Sequence, residues 1–156
     1  MTAATASTTP WTGQLKDFLG QYAVAAVIFS AVDAVWLTLI APKLYDNLLG
    51  DLLAQEPRVG AAVAFYALFV AGLVHFVVRP ALAAGSRRQA MLAGGFFGLV
   101  TYATWDLTSL AVLAGFPALL VPIDLAWGTV LSAGVSVATY AAVEKLRSRN
   151  TARLEP

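Results

Sequence analysis

The sequence contains no cysteine, one histidine and few charged residues, because only 12% of its 156 residues are Asp, Glu, Lys or Arg. The absence of cysteine excludes disulfide bonds, thiolate metal ligands and a cysteine nucleophile. Ten basic and nine acidic residues give a formal charge of +1, which excludes the basic face that nucleic-acid binding needs. Soluble domains carry about 25% charged residues, so this chain is not an ordinary water-soluble globule.

Apolar residues make up 59% of the chain, and the mean hydropathy is +0.73. Most of them lie in four long stretches, at about 18–41, 59–78, 90–114 and 118–143. Each stretch is long enough to cross the hydrocarbon core of a bilayer, which takes about 20 helical residues. Each must be an α-helix, because a lone strand would leave its peptide groups without hydrogen-bond partners in lipid.

These stretches predict an all-α membrane protein, a four-transmembrane-helix up-down bundle over residues 18–143. The segments outside this bundle are an N-terminal tail, 1–17, and a C-terminal tail, 144–156. The connection at 115–117 is so short that the third and fourth helices must be antiparallel neighbours.

Basic residues are distributed unevenly between the two sides of the predicted bundle. The two tails and the 79–88 loop hold eight of the ten Lys and Arg, whereas the other two connections hold only Lys43 and Arg58. Because basic residues are enriched in cytoplasmic loops, both termini are predicted to be cytoplasmic.

The first outer loop has an amphipathic pattern of its own. Apolar side chains recur there at helical spacing, with acidic residues between them. The apolar members are Leu44, Tyr45, Leu48, Leu49, Leu52 and Leu53. This spacing predicts a short amphipathic helix at the outer membrane interface, where it bridges and covers the end of the bundle.

Three aspartates lie inside the apolar stretches. Asp33 is eight residues from Ala41, Asp106 is eight from Ala114 and Asp124 is six from Ala118, counted to the outer end of each helix. At 1.5 Å per residue, these depths agree to within about one helical turn. Because ionisable residues in membrane helices usually face the interior or a wet cavity, the three carboxyls are predicted to converge in the outer half of the membrane.

Small and aromatic residues accompany the aspartates at four-residue spacing. Gly94, Gly98 and Tyr102 precede Asp106 in this way, and Gly128 follows Asp124. Small residues at this spacing let helices approach closely, so the aspartate faces are also packing faces. The sequence therefore predicts an acidic pocket with aromatic walls, hydroxyl groups and indole donors. The candidate site residues are Asp33, Asp106, Asp124, Tyr102, Thr101, Thr108, Trp36, Trp105 and Trp127.

No Lys or Arg lies at the predicted depth of the three aspartates. Either protons or a cation, such as a cationic ligand, would then balance their charge. A structural alternative is that neutral Asp, Tyr, Thr and Trp side chains hydrogen-bond between helices and hold the bundle in register. Asp124 has a second alternative of its own, because Pro122 is typical of the first turn of a helix and would place it at a helix start.

Three sequence strings resemble the bacterial membrane-protein family known as domain of unknown function 2177. They are 33–37 (DAVWL), 98–108 (GLVTYATWDLT) and 124–129 (DLAWGT). In that family, position 105 is more often Tyr and position 109 more often Asn, whereas this chain has Trp105 and Ser109. The resemblance implies a four-span protein of the bacterial inner membrane and brings no established activity.

Three functions are compatible with these residues. The first is a site that binds or moves a proton, a cation or a small cationic ligand. The second is a membrane-embedded enzyme or binding protein for a lipid-like molecule, in which aspartates perform acid–base chemistry. The third is a structural subunit whose partner is another membrane protein or a second copy of the chain. No pattern of acid, base and nucleophile identifies a reaction, a catalytic residue, a cofactor or a metal.

Overall fold

The structure, a computed structural model, describes residues 11–152, with side chains up to residue 149. Residues 1–10 of the predicted N-terminal tail and residues 153–156 of the predicted C-terminal tail lie outside this range. Within it the chain is helical, without strands. The α-helices are α1 (Trp11–Leu39), α2 (Ala41–Leu49), α3 (Val59–Leu73), α4 (Arg79–Ala83), α5 (Arg87–Val112) and α6 (Leu120–Ala152).

Helices α3 and α4 form one continuous helix, Val59–Ala83, through the π-helical turn Val74–Val78. Pro80 follows this turn and has no N–H to donate to the carbonyl of Phe76, with which its ring would also collide. A wider turn just before the proline relieves that conflict.

Two residues determine the turn between α4 and α5. Gly85 adopts a φ of +59°, and the N–H of Ser86 donates to the carbonyl of Ala81 at 3.0 Å, which closes the end of α4. The side chain of Ser86 then accepts a hydrogen bond from the N–H of Gln89 at 3.2 Å and caps α5. The sequence Gly-Ser therefore ends one helix and starts the next.

Helices α5 and α6 make the most extensive contact of any pair of helices in residues 11–152. A Cβ atom added to Gly94 would lie 2.5 Å from the Ser136 hydroxyl, and one added to Gly98 would overlap the Gly128 carbonyl and the Ser132 side chain. Small residues at four-residue spacing thus let the two backbones touch. We call this contact of Gly94, Gly98, Gly128, Ser132 and Ser136 the glycine–serine seam.

The main apolar core fills the space between α1, the α3–α4 helix and α6. Its centre consists of Phe29 of α1, Phe69 and Leu73 of α3, and Leu131 and Val135 of α6, all nearly inaccessible to solvent. This core joins the seam to the remaining helices and therefore positions α1 and α3 relative to the aspartates.

Helix α2 lies across one end of the packed helices, which we call the α2 end. Its partly buried Leu44, Tyr45 and Leu48 pack against Phe116 and Leu120, which belong to the α5–α6 connection and the start of α6. The leucine spacing correctly indicated a helix here, and its apolar face covers the end of its own protein.

Three helices are long and apolar enough to cross a membrane, at Trp11–Leu39, Val59–Ala83 and Leu120–Arg149. Helix α5 carries the third predicted span and is not among them, because three glycines, three threonines and Asp106 interrupt its apolar residues. The helices also extend past the predicted spans, since α1 begins at Trp11 and α6 continues to Ala152. The helix ends therefore do not mark the membrane boundaries.

Candidate functional site

All three intramembrane aspartates of the prediction are buried, and they lie on three different helices. The exposed fraction is 5% for Asp33 on α1, 0% for Asp106 on α5 and 5% for Asp124 on α6. These helices contain no Lys or Arg from Asp17 to Leu39, from Gln89 to Val112 or from Leu120 to Glu144. Because a buried carboxyl without a basic neighbour is costly, each of the three needs a hydrogen-bond partner or a proton.

Asp33 has a strong partner on α3. The Tyr66 hydroxyl donates a hydrogen bond to the Asp33 carboxylate at 2.7 Å, the usual length for such a bond. The Tyr66 ring packs edge-on against Phe29, with centroids 5.5 Å apart, so the hydroxyl is held in place by the apolar core. Asp33 is thus tied to the neighbouring helix.

Asp124 is both close to a helix start and part of the acidic group. It is the fifth residue of α6, with Pro122 before it, so it lies just beyond the first turn. The Tyr45 hydroxyl of α2 lies 3.4 and 3.5 Å from its two carboxylate oxygens, a longer and weaker contact than that of Asp33. Asp124 is therefore a residue near a helix start that also lines the group of interacting side chains, so its two interpretations from the sequence are compatible.

Asp106 is the least satisfied of the three. Neither of its carboxylate oxygens has a hydrogen-bond partner, although the side chain is completely buried. A buried polar group without a partner is costly, and a buried charge is more so. This position therefore needs a proton or a neighbouring cation more than the other two do.

Electrostatic contacts join the three carboxyls into one group. Asp106 interacts with Asp124, and the Tyr102 hydroxyl interacts with both Asp33 and Asp124. Tyr45 interacts with Asp124 and Asp106 as well. Asp106 and Asp124 thus interact directly, whereas Asp33 is linked to Asp124 through their shared neighbour Tyr102.

A cleft of about 320 Å³ opens beside this group. Its walls come from α2, α3, α5 and α6 and combine aromatic rings with one hydroxyl and one carboxyl. The lining residues are Tyr45, Phe65, Thr101, Tyr102, Trp105 and Asp124. We call it the aromatic–acid cleft.

The predicted tryptophans do not share this cleft. Trp105 is on its rim and is 62% exposed, whereas Trp36 and Trp127 stack on each other with centroids 4.4 Å apart and an interplanar angle of 11°. That stack lines a separate shallow groove between α1 and α6. The structure therefore divides the single predicted pocket into a cleft and a tryptophan stack.

The predicted threonines also differ from one another. Thr101 lines the cleft, but its hydroxyl donates to the carbonyls of Phe97 and Gly98 at 2.9 and 3.0 Å. Thr108 is exposed and its hydroxyl donates to the backbone carbonyl of Thr104. Both hydroxyls are thus used within α5, and Thr108 lies outside the cleft lining.

Two tyrosines of the site, Tyr45 and Tyr66, were not among the candidate site residues predicted from the sequence. Tyr66 lies seven residues from Val59, so the same depth count that linked the aspartates would have placed it at their level. Tyr45 was assigned to the apolar face of the loop helix, and its sequence position carries no signal that it reaches Asp124. Phe65 was missed as well.

Across the described residues, no group of three or more His, Cys, Asp and Glu side chains is arranged to hold a metal ion. Asp106 and Asp124 are near enough to influence each other, yet they belong to no such group of ligands.

The comparisons with known proteins agree with the membrane assignment. Residues 18–141 match the family described as a predicted membrane protein, DUF2177, and this range contains the aspartates, the cleft and the glycine–serine seam. No curated protein and no solved structure matches the chain. The match confirms the resemblance in the three sequence strings. The chain is a member of the DUF2177 family of predicted membrane proteins.

Proposed function

We propose that this protein binds a small organic cation within the membrane, in the aromatic–acid cleft beside the three aspartates. The observation that carries the proposal is the composition of the cleft. Four aromatic side chains and the Asp124 carboxyl line it, and Asp124 interacts electrostatically with Asp106, whose buried carboxyl has no hydrogen-bond partner.

The aromatic lining favours an organic cation. Aromatic faces attract cations through their quadrupoles, and rings arranged around a carboxylate are a recurring way to hold quaternary ammonium groups. Tyr45, Phe65, Tyr102 and Trp105 provide the rings, and Asp124 provides the opposite charge. A volume of about 320 Å³ falls at the lower end of the range for small-molecule sites.

Binding is better supported than conduction. A path for a transported ion from Asp106 and Asp124 along their own two helices would follow the contact between α5 and α6. There, the backbone at Gly94 and Gly98 lies so close to Ser136 and Ser132 that a methyl group would not fit. A file of water molecules needs more space than this seam leaves.

Thermal unfolding of the full chain in a non-ionic detergent tests the proposal, with tetramethylammonium chloride as the probe and sodium chloride at equal ionic strength as the reference. Tetramethylammonium should raise the unfolding midpoint of the wild type, because it binds the folded state. Asp124→Asn should abolish this increase. Asp46→Asn, which neutralises an exposed acid on α2, should retain it. Equal responses of wild type and Asp124→Asn would contradict the proposal.

The membrane arrangement that accompanies this proposal has four spans, with α5 as the third, in the bacterial inner membrane. Its support is the length of α5, 26 residues or about 39 Å of helix, and its close contact with α6. The distribution of Lys and Arg supports cytoplasmic termini.

The absence of cysteine makes this arrangement easy to test, because any introduced cysteine is the only one. Gln55→Cys and Ala114→Cys should react with a membrane-impermeant maleimide in intact cells, and Ala84→Cys only after permeabilisation. All three positions are exposed in connecting segments. Labelling of Ala84→Cys and Ala114→Cys from the same side would show that α5 does not cross the membrane.

A further inference from the structure

The aromatic–acid cleft opens sideways, through a gap between α3 and α5. Phe65 and Trp105 form the two sides of this opening and are 49% and 62% exposed. Phe65 is six residues from the start of α3 and Trp105 is seven from the end of α5, or about 10 Å along each helix. In a membrane, such an opening below the helix ends faces lipid.

A second, apolar groove adjoins the cleft along the same two helices. Its volume is about 290 Å³, and it shares Thr101 with the cleft. The groove is lined by Phe76, Val77, Ala93, Phe96, Phe97, Val100 and Thr101. Between Ala93 and Thr101 it extends about 12 Å along α5.

The two spaces have opposite chemistry. Apart from the Thr101 hydroxyl, which is bonded to its own helix, the groove is lined by hydrocarbon side chains, and no charged residue borders it. The cleft contains the carboxyl and the tyrosine hydroxyls. The π-helical turn Val74–Val78 supplies Phe76 and Val77 to the groove wall, and such turns occur frequently at functional sites.

From the adjacency of the cleft and the groove at Thr101, and resting on the proposed function, the geometry points to one ligand class: a single-chain amphiphile with an alkylammonium headgroup. The headgroup occupies the aromatic–acid cleft with Asp124 as its counter-ion, and the alkyl chain lies in the apolar groove between the α3–α4 helix and α5. The charge of the cleft selects against anionic amphiphiles, and the sideways opening admits a ligand directly from the bilayer.

The experiment compares two probes that have the same headgroup, tetramethylammonium and dodecyltrimethylammonium. Binding of each is measured by titration calorimetry on the full chain in phosphatidylglycerol nanodiscs, which lack a competing cationic headgroup. Val100→Trp fills the groove, and Leu92→Trp places the same side chain elsewhere on α5. Both positions are exposed and apolar, so neither change removes a buried side chain from the core.

Val100→Trp should weaken binding of dodecyltrimethylammonium by about tenfold and leave tetramethylammonium unchanged. Leu92→Trp should change neither affinity. Because partitioning into the bilayer is the same for all variants, the comparison needs no correction for it. Asp124→Asn should weaken both probes.

The possible outcomes separate the two proposals. If wild type and Val100→Trp bind dodecyltrimethylammonium with equal affinity, the alkyl-chain site is overturned. Saturable binding of tetramethylammonium in the same experiment would still support the cation site. Failure of both probes to bind saturably would overturn the cation site, and the alkyl-chain site with it. Equal weakening by Val100→Trp and Leu92→Trp would show that the groove has no specific role.

Discussion

The contact between α5 and α6 changes character along its length. In the glycine–serine seam the two backbones touch, and there is less space than a methyl group needs at Gly94 and Gly98. Toward the α2 end, the same faces of the same helices carry Tyr102, Asp106 and Asp124, and a cleft of about 320 Å³ lies beside them. The transition occurs where the Tyr102 ring packs directly on Gly128.

This difference shows how one sequence pattern produces both a rigid contact and an open site. Four-residue spacing keeps all these residues on one face of each helix, so side-chain size decides how near the helices come. Glycine allows the seam to close, and tyrosine and aspartate prevent closure at the α2 end. The seam thereby holds the cleft open, because it holds α5 and α6 in register.

Substitution of Gly98 by Ala should reduce the free energy of unfolding more than any other change considered, because the new Cβ would overlap the Gly128 carbonyl and Ser132. Backbone atoms cannot rotate away, so we expect a loss of about 3 kcal/mol, as for severe overpacking of a core. Gly95→Ala is the matched control, since its Cβ would lie 3.5 Å from Thr129 in ordinary contact. Unfolding in detergent measures both, and similar losses for the two variants would contradict the seam.

Substitution of Gly128 by Ala should destabilise the protein by about 2 kcal/mol, because the new Cβ would overlap the Tyr102 ring. A side chain, unlike backbone, can be removed. Tyr102→Ala in the same chain should therefore make Gly128→Ala less harmful, with a coupling of about 1 kcal/mol in a double-mutant cycle. If the losses in free energy of unfolding from the two substitutions simply add, the Tyr102 ring does not mark the boundary between the glycine–serine seam and the cleft.

Tyr66→Phe removes the 2.7 Å hydrogen bond to Asp33 and should cost about 1 kcal/mol, near the upper part of the range for bonds between membrane helices. Tyr22→Phe is the control, because its hydroxyl makes only a 3.4 Å contact with the Ala67 carbonyl. Unfolding by sodium dodecyl sulfate compares the two. A smaller loss for Tyr66→Phe than for Tyr22→Phe would show that Asp33 does not depend on this partner.

Tyr45→Phe should have the smallest effect on stability at neutral pH, because its contacts with Asp124 are 3.4 and 3.5 Å long. Burial and the nearby Asp124 charge raise the pKa of Tyr45 to about 12. The folded chain therefore holds the Tyr45 proton more tightly than the unfolded chain. The contribution of this group to the free energy of unfolding is present below about pH 10 and is lost as the pH rises toward 12. Unfolding midpoints across this range should fall less for Tyr45→Phe than for wild type.

Much of the fold could be predicted from local sequence. Apolar length identified the helices, Gly85 and Ser86 mark a helix end and a helix start, and leucine spacing identified α2. Gly94 and Gly98 predicted close contact with α6, which the structure confirms. The similar depth of three aspartates predicted that they converge, which stays a prediction for Asp33, whereas Asp106 and Asp124 interact in the structure.

The composition of the site could be predicted only in part. Trp36 and Trp127 share the predicted depth of the aspartates, yet they stack on each other and line a separate groove between α1 and α6. Depth along a helix follows from residue number, but the direction of a side chain relative to another helix depends on how the two helices cross. Tyr45 and Tyr66 were missed for the same reason, since each contacts an acid on a different helix.

The sequence by itself determined that this is a helical membrane protein with glycines where two helices meet, and it predicted acids at one level, because these features depend on composition and on a rise of 1.5 Å per residue. Only the tertiary structure decided which acid has a partner. Asp33 and Asp124 lie near tyrosines of α3 and α2, whereas the packing of α5 leaves Asp106 buried without one. Helix packing, which brings together residues distant in sequence, made that distinction.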